Sequence, residues 1–504
     1  MANITFHPNR VNLNKRSRFL DTPALDAAGT LPITDISALK DKITSALRIQ
    51  NDFFPCFDWA FPPPLLTRSP APVSLDQLFA HPSVESGKYS IYIHSPFCKT
   101  LCSFCYYPVL PGKAIQEAEA YVSALIRELD MYAPYLKGQV CESIYFGGGT
   151  PSYLDNRLLV QIFKAINKQC TLAPDAEVTL ESAPGTLPPE KTDLLASLGV
   201  NRLSYGIQTL NEELLSSMNR HYKVSDALIE LEYAIRKIGN VNVDTMYGFA
   251  GESSHDLLDT LARFHAIGVP SLSIYSMDKQ RSASKAGGLP LEDAAHANKI
   301  AIFSAAKHWL GSQGYTPVLQ NIFIQPERAS YRHQIRRWEN LTLVALGMGA
   351  QGYAPRAQYY NAPSLKSYLQ LIDKGLPSII NVDYLTSELE LARELTSKLR
   401  FTSVHLALLS NKYGVDVHAI FQHLFEALHD LDYLQTENGH TGMTEKASYY
   451  NNIIPLLFSP DSFKEQLLGL PAEYLEAFPV PFVVTTIGRT QTLDFSLAEL
   501  KSCS

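Results

Sequence analysis

Between residues 89 and 314 short apolar, β-branched runs alternate with longer segments whose apolar positions recur at helical spacing. The runs are YSIYIH (89–94), ESIYFG (142–147), EVTLES (177–182), RLSYGI (202–207), NVDTMYG (242–248) and SLSIYS (271–276). Each reads as a strand. The helical segments lie at 114–132, 156–169, 189–199, 225–239, 255–268 and 296–314. Six strand–helix repeats predict an α/β fold with a parallel sheet covered by helices. Six units are too few for a closed eight-stranded barrel, so the predicted fold is a partial, open (β/α)6 barrel. In such folds function gathers at the C-terminal ends of the strands.

The flanks read differently. Residues 1–88 carry a Pro-rich stretch (61–72) and no sustained period; they predict an N-terminal arm with one helix at 37–50, wrapped on the main domain. After residue 376 helical patterns follow at 387–400, 404–414 and 417–434, with a last segment at 442–458. This predicts a small helical, winged-helix-like C-terminal domain against the barrel mouth. The expected division is an arm at 1–88, a barrel at 89–375 and a helical domain at 376–504.

Composition narrows the classes. Of 504 residues, 46% are hydrophobic and 18% charged, a globular balance. A net charge of -7 without a basic run excludes nucleic acid as the main partner. No apolar stretch approaches bilayer length, and MANITFHPNR lacks a signal-peptide core. A soluble, cytoplasmic protein without a membrane partner is expected. The seven cysteines are odd in number, and Cys98, Cys102 and Cys105 fall within eight residues. That argues against a disulfide framework and for a reducing compartment with a local metal site.

Chemistry concentrates just after the first strand, in Tyr92-Ile-His-Ser-Pro-Phe-Cys98-Lys-Thr-Leu-Cys102-Ser-Phe-Cys105. Three thiolates at C-x3-C-x2-C spacing match three irons of a [4Fe–4S] cubane and leave the fourth iron open. An open iron can chelate the amino and carboxylate groups of S-adenosylmethionine (SAM). A structural zinc site normally wants four protein ligands, and a zinc deaminase needs a His-x-Glu partner that His94-Ser95-Pro96 does not supply. Gly147-Gly148-Gly149-Thr150-Pro151 ends the second strand. There the backbone can approach a ligand closely and offer free N–H groups. Glu181 closes the third strand among apolar neighbours, where a carboxylate needs a partner; a helix cap or loop salt bridge is the plainer reading. Asp244, within the fifth strand, is hard to explain as packing alone.

The combination Y-x-H-x-P-F-C-x3-C-x-F-C with Tyr145-Phe-Gly-Gly-Gly-Thr-Pro151 resembles the HemN-like family of radical SAM proteins. That family includes oxygen-independent coproporphyrinogen III dehydrogenase, haem-chaperone relatives and class C radical SAM methyltransferases. The likeness runs from about Tyr89 to Tyr353. It implies a radical SAM barrel holding a [4Fe–4S] cluster and two SAM molecules. Tyr92, Gly148, Gly149, Thr150 and Glu181 would serve cofactor binding, with Glu181 against the first SAM. Gln208, Arg220 and Asp244 would contact the second: a guanidinium for the carboxylate, an amide for orientation, an acid for the ribose or amine. Phe104, Ser276 and Tyr353 are carried over through backbone or stacking roles.

Two departures mark this chain. Tyr106-Tyr107-Pro108 stands where the dehydrogenase has a Gly-Cys-Asn-Lys type sequence, and the dehydrogenase's N-terminal Tyr-x-Ser-Tyr-Pro-Thr pattern is absent from residues 1–88. Tyr331-Arg-His333-Gln-Ile-Arg336-Arg337-Trp338 is similar to the chaperones' His-Asn-x-x-Tyr-Trp segment. Its arginines Arg332, Arg336 and Arg337 suit a carboxylated planar substrate or a basic surface helix. The resemblance implies reductive cleavage of SAM, with a 5′-deoxyadenosyl radical. The expected outcome is methylation or cyclopropanation of an sp2 carbon on a tetrapyrrole or secondary-metabolite substrate. Decarboxylation of coproporphyrinogen III propionates and haem chaperoning are the alternatives. The length beyond 376 counts against a compact chaperone. A monomer served by an external electron donor such as flavodoxin or ferredoxin is expected.

Overall fold

The structure, a computed structural model, describes residues 36–49, 73–80, 87–105, 107–112, 115–277, 294–401, 403–448, 450 and 454–459. The Pro-rich stretch, Cys56, Cys503 and Tyr106 lie outside them. All six sequence-predicted strands form: β1 (Lys88–Ser95), β2 (Val140–Gly148), β3 (Thr171–Ser182), β4 (Arg202–Gln208), β5 (Val241–Tyr247) and β6 (Ser271–Ser276). They pair in sequence order and in parallel. Two short strands, β7 (Thr316–Leu319) and β8 (Ile322–Ile324), add antiparallel beyond β6. On the other flank β9 (Thr342–Leu346) joins β1 in parallel. β10 (Gln351–Ala354), β11 (Ala357–Asn361) and β12 (Ile379–Tyr384) follow antiparallel. The order β12-β11-β10-β9-β1-β2-β3-β4-β5-β6-β8-β7 does not return on itself. The sheet is an open, partial barrel, and it runs to Tyr384, past the boundary at 375.

The crossover helices are α2 (Ile115–Leu136), α3 (Asn156–Gln169), α4 (Pro189–Ser197), α5 (Val224–Ile238), α6 (Ser254–Ala266) and α7 (His296–Ser312). Two of the helix starts have a clear side-chain cap. Asp155 caps α3 by accepting from Arg157 N, and Ser253 with Asp256 makes a capping box at α6. The α3 stripe Leu158, Leu159, Ile162, Phe163 and Ile166 is buried against the sheet. β4 is buried along its whole length, with Leu203, Tyr205 and Ile207 in the main core and the polar Arg202, Ser204 and Gln208 alternating with them. Their C-terminal ends form one rim, where the unusual residues sit.

A second core lies apart from the sheet. It joins α9 (Ser387–Phe401), after the short α8 (His333–Arg337), to α10 (Gln422–Asp430) through Leu391, Leu395, Leu399, Leu424, Phe425 and Leu428. α1 (Ile36–Ile49) packs into this same core with Leu39, Ile43 and Leu47, and Lys40 pairs with Asp430. The arm's described helix therefore belongs to the C-terminal unit, whereas Val73, Leu75 and Leu78 pack on the sheet. The C-terminal unit is not wholly helical. β13 (Ser403–His405), β14 (Leu434–Glu437) and β15 (His440–Met443) form a small antiparallel sheet. Its hairpin turns at Asn438-Gly439, both at positive φ (51° and 78°), the pattern of a two-residue primed turn. Among the described residues no helix is long and apolar enough to cross a membrane.

Candidate functional site

The loop bearing the three cysteines leaves β1 and is held from both sides. His94 is buried, and burial lowers its pKa to about 4, so the ring is neutral. Its Nε2 lies 2.9 Å from Pro108 O and its Nδ1 3.2 Å from Tyr92 Oη. A carbonyl only accepts, so Nε2 carries the proton and Nδ1 accepts from the Tyr92 hydroxyl. One imidazole thus fastens the loop's exit to its entry. From the other side Ser103 N donates to Met218 O (3.0 Å), Ser103 Oγ to Ser217 O (3.1 Å) and Asn219 Nδ2 to Leu101 O (2.7 Å).

Cys98, Cys102 and Cys105 are half-buried free thiols in this loop. Cys98 Sγ lies 3.5 Å from Thr150 Oγ1, and burial pushes its thiol up to about 11. Among the described residues no three His, Cys, Asp or Glu side chains converge as one metal ion requires. A cubane asks for something else, one thiolate on each of three separate irons, and three cysteines spread along one fastened loop fit it.

The glycine run does a different job from the one its sequence suggests. Gly148 has φ +106°, and a Cβ there would lie 2.2 Å from the His94 ring; one on Gly149 would meet Ser95 O at 2.7 Å. The N–H groups are taken as well. Gly148 N donates to Glu181 Oε2 (3.0 Å), Gly149 N to Ser95 O (2.8 Å) and Thr150 N to Phe97 O (2.9 Å). The turn is therefore the bed of the cysteine loop, not a free anion nest.

Glu181, Gln208, Arg220 and Asp244 come together over the inner ends of β3, β4 and β5. Glu181 accepts from Tyr145 Oη (2.8 Å) besides Gly148 N. Burial raises its pKa to about 7, against the pull of those hydrogen bonds. Asp244 accepts from Ser204 Oγ (3.0 Å) and Asn242 Nδ2 (2.8 Å), and burial raises its pKa too. Gln208 has φ +77° at a β-bulge, where the register shifts between Gly206 and Gln208. Such a left-handed non-glycine residue is strained, and it closes β4 opposite Thr245. Arg220 Nη2 donates to Gly206 O (2.6 Å). Phe104 packs on an apolar patch of Met218, Met246, Phe249 and Met277 at the same rim. Ser276 ends β6, its hydroxyl on Met277 O.

Tyr353 stands apart. It pairs with Leu343 near the start of β9, the opposite end from the site. Its hydroxyl donates to Glu390 and Arg393 lies 4.3 Å over its ring, a packing role toward α9. The arginines of 332–337 are likewise engaged below the barrel: Arg332 with Asp175, Arg336 with Glu142 and Glu339, Arg337 over Trp338. His333 is buried beneath Tyr145 and 2.9 Å from Ser143 Oγ. The segment is therefore neither a free arginine cluster nor an exposed basic helix: α8 is half-buried and ties the strands below the barrel together. Tyr145, which holds Glu181, was missed from the sequence although it sits two residues from Gly147 on an inward strand position.

Residues 92–264 match the radical SAM superfamily. The haem chaperone HemW of Bacillus subtilis (strain 168) is 27% identical over 376 residues, 72% of this chain and 97% of the relative. That of Lactococcus lactis is 27% identical over 379 residues, 95% of its length. The oxygen-independent coproporphyrinogen III oxidase of Escherichia coli (strain K12) is 27% identical over 303 residues, 56% of this chain and 65% of the relative. The chain carries a radical SAM domain and is similar to the HemN-like proteins. The solved E. coli coproporphyrinogen III oxidase (HemN) shares its fold, with a TM-score of 0.70 at 22% identity, over 80% of this chain and 96% of that one. The cofactors of this HemN-like chain are a [4Fe–4S] cluster and SAM. The match spans nearly the whole of those chaperones and 72% of this chain.

Proposed function

We propose that this chain is a radical SAM enzyme that oxidises a propionate side chain of a tetrapyrrole to a vinyl group, losing the carboxylate as CO2, with one hydrogen atom passing to 5′-deoxyadenosine and the remaining electron to an external one-electron acceptor. The observation that carries the reading is the set Glu181, Gln208, Arg220 and Asp244 beside the cysteine loop. One SAM on an iron does not use four such groups; a second charged ligand does, either a second SAM or the substrate's carboxylate. The relatives are named for haem and coproporphyrinogen III, and they support this substrate class and not methyl transfer.

In this reading Cys98, Cys102 and Cys105 hold the cluster. With SAM bound it supplies a carbon-centred oxidant able to take hydrogen from an unactivated C–H bond. The chain's own residues do the rest. Glu181 and Asp244 receive cationic groups of SAM, Arg220 clamps a carboxylate, and Gln208 orients what Arg220 holds. Phe104 and its methionine neighbours exclude water. A second reading, a haem chaperone, is favoured by the near full-length match to HemW proteins and by the missing Gly-Cys-Asn-Lys sequence.

One anaerobic experiment separates the readings: reduced, reconstituted protein with SAM and coproporphyrinogen III deuterated on its propionates. The proposed activity gives CO2 and deuterium in 5′-deoxyadenosine. A chaperone binds about one haem per chain and leaves SAM intact. S-adenosylhomocysteine, with label entering 5′-deoxyadenosine from methyl-deuterated SAM, would restore methyl transfer.

A further inference from the structure

Arg202 opens β4 and is fully buried, yet its Nε, Nη1 and Nη2 have no hydrogen-bond partner among the described residues. Register fixes its place. It faces Thr179 on β3, and the next inward pair above is Ser204 with Glu181. On the other side β5 sets Asn242 beside Ser204 and Asp244 beside Gly206. Tyr331 lies under the guanidinium, its ring centroid 4.3 Å away. Arginine does not escape burial by losing its proton, and orphaned donors in a packed interior are costly. Packing alone would be better served by an aliphatic chain.

Above it stand two half-buried carboxylates without an ion-pair partner among the described residues. Glu181 has only Tyr145 Oη and Gly148 N; Asp244 has only Ser204, Asn242 and Ser273. Burial pushes both toward the neutral acid, and Arg202 pulls both back. No other group nearby does this from below. His333 on α8 is neutral, its pKa lowered to about 3 by burial. Glu177 on β3 caps α8, accepting from Arg332 N and His333 N. Tyr145 on β2 is already bonded to Glu181, and Arg220 lies above, on Gly206 O.

We infer that Arg202 is a positioning residue, a fixed positive charge at the barrel floor that holds Glu181 and Asp244 ionised to receive the cationic groups of SAM. This rests on the reading of the site as a SAM site. The test is equilibrium SAM binding to cluster-loaded protein across pH, for wild type, Arg202→Lys and Arg202→Met. Removing the charge raises the carboxylates' pKa, so the acid limb of binding moves up. Arg202→Met should bind about tenfold more weakly than wild type near pH 6.5 and within about threefold of it near pH 9, one pKa unit being tenfold. Arg202→Lys, which keeps the charge, should follow wild type. Equal weakening of Arg202→Met at both pH values, or an unshifted curve, overturns the inference. Absence of SAM binding by wild type instead overturns the site reading beneath it. Should Arg202→Met not fold, the infrared carbonyl band of protonated acids decides in wild type, assigned by its loss in Glu181→Gln and Asp244→Asn. The band should appear only below about pH 7; a band already present near pH 9 contradicts the inference.

Discussion

Glu181 is the residue whose charge matters most, and its surroundings pull it in opposite directions. Burial lifts its pKa to about 7 from an ordinary 4.5, while Tyr145, Gly148 and Arg202 restrain the rise. The folded state therefore binds this proton more tightly than the unfolded chain. The resulting stability is full below about pH 4.5 and is lost as pH rises through about 7. In cluster-free protein Glu181→Gln should be more stable than wild type by up to about 3 kcal/mol near pH 8, and level with it near pH 4. Urea unfolding at the two pH values checks this; a difference independent of pH would contradict it. At this scale the sequence was readable where chemistry is rare. Cysteine spacing and strand-end carboxylates stand out in any globular chain. Tyr145 and Arg202 did not, because a tyrosine or arginine in an apolar run has ordinary explanations until register shows which way it points. Tyr353 failed for the same reason, since a matching motif says nothing about which end of a strand a side chain occupies.

The elements that repeat were legible and the elements that do not were not. β1 to β6 follow from alternation with helices of crossover length, each bounded by caps or glycine. β9 comes after the five-residue α8 instead of a full crossover helix, so nothing in its TLVAL run separated a buried strand from a buried helix segment. The Asn438-Gly439 hairpin carried a readable turn signal, but the helical period on either side masked it. α1 has a clear apolar stripe, yet a stripe does not name its partner. Here the partner is the C-terminal core, with Ile43 fully buried in it. Ile43→Ala should cost that unit about 2–4 kcal/mol. Hydrogen exchange should then rise at 424–434 and stay unchanged at 142–148. Equal acceleration of both would mean that the two cores unfold as one.

Across the whole molecule, an open barrel sets one rim of strand ends around a loop fastened by His94 on one side and Asn219 on the other. The second core packs below and beside it and supplies Glu390 and Arg393 to Tyr353, far from the thiols. In the proposed reading cofactor chemistry falls to residues 92–277, and α1, α9 and α10 have a scaffolding part. In this reading Cys98, Cys102 and Cys105 hold a [4Fe–4S] cluster with one iron open to SAM. Electron paramagnetic resonance of the anaerobically reconstituted, reduced protein tests it most directly, recorded with and without SAM beside the triple Cys→Ala variant. The account predicts about four irons per chain, a cubane signal that changes shape when SAM is added, and no signal in the variant. A signal indifferent to SAM, or a variant that still carries about four irons, would contradict it.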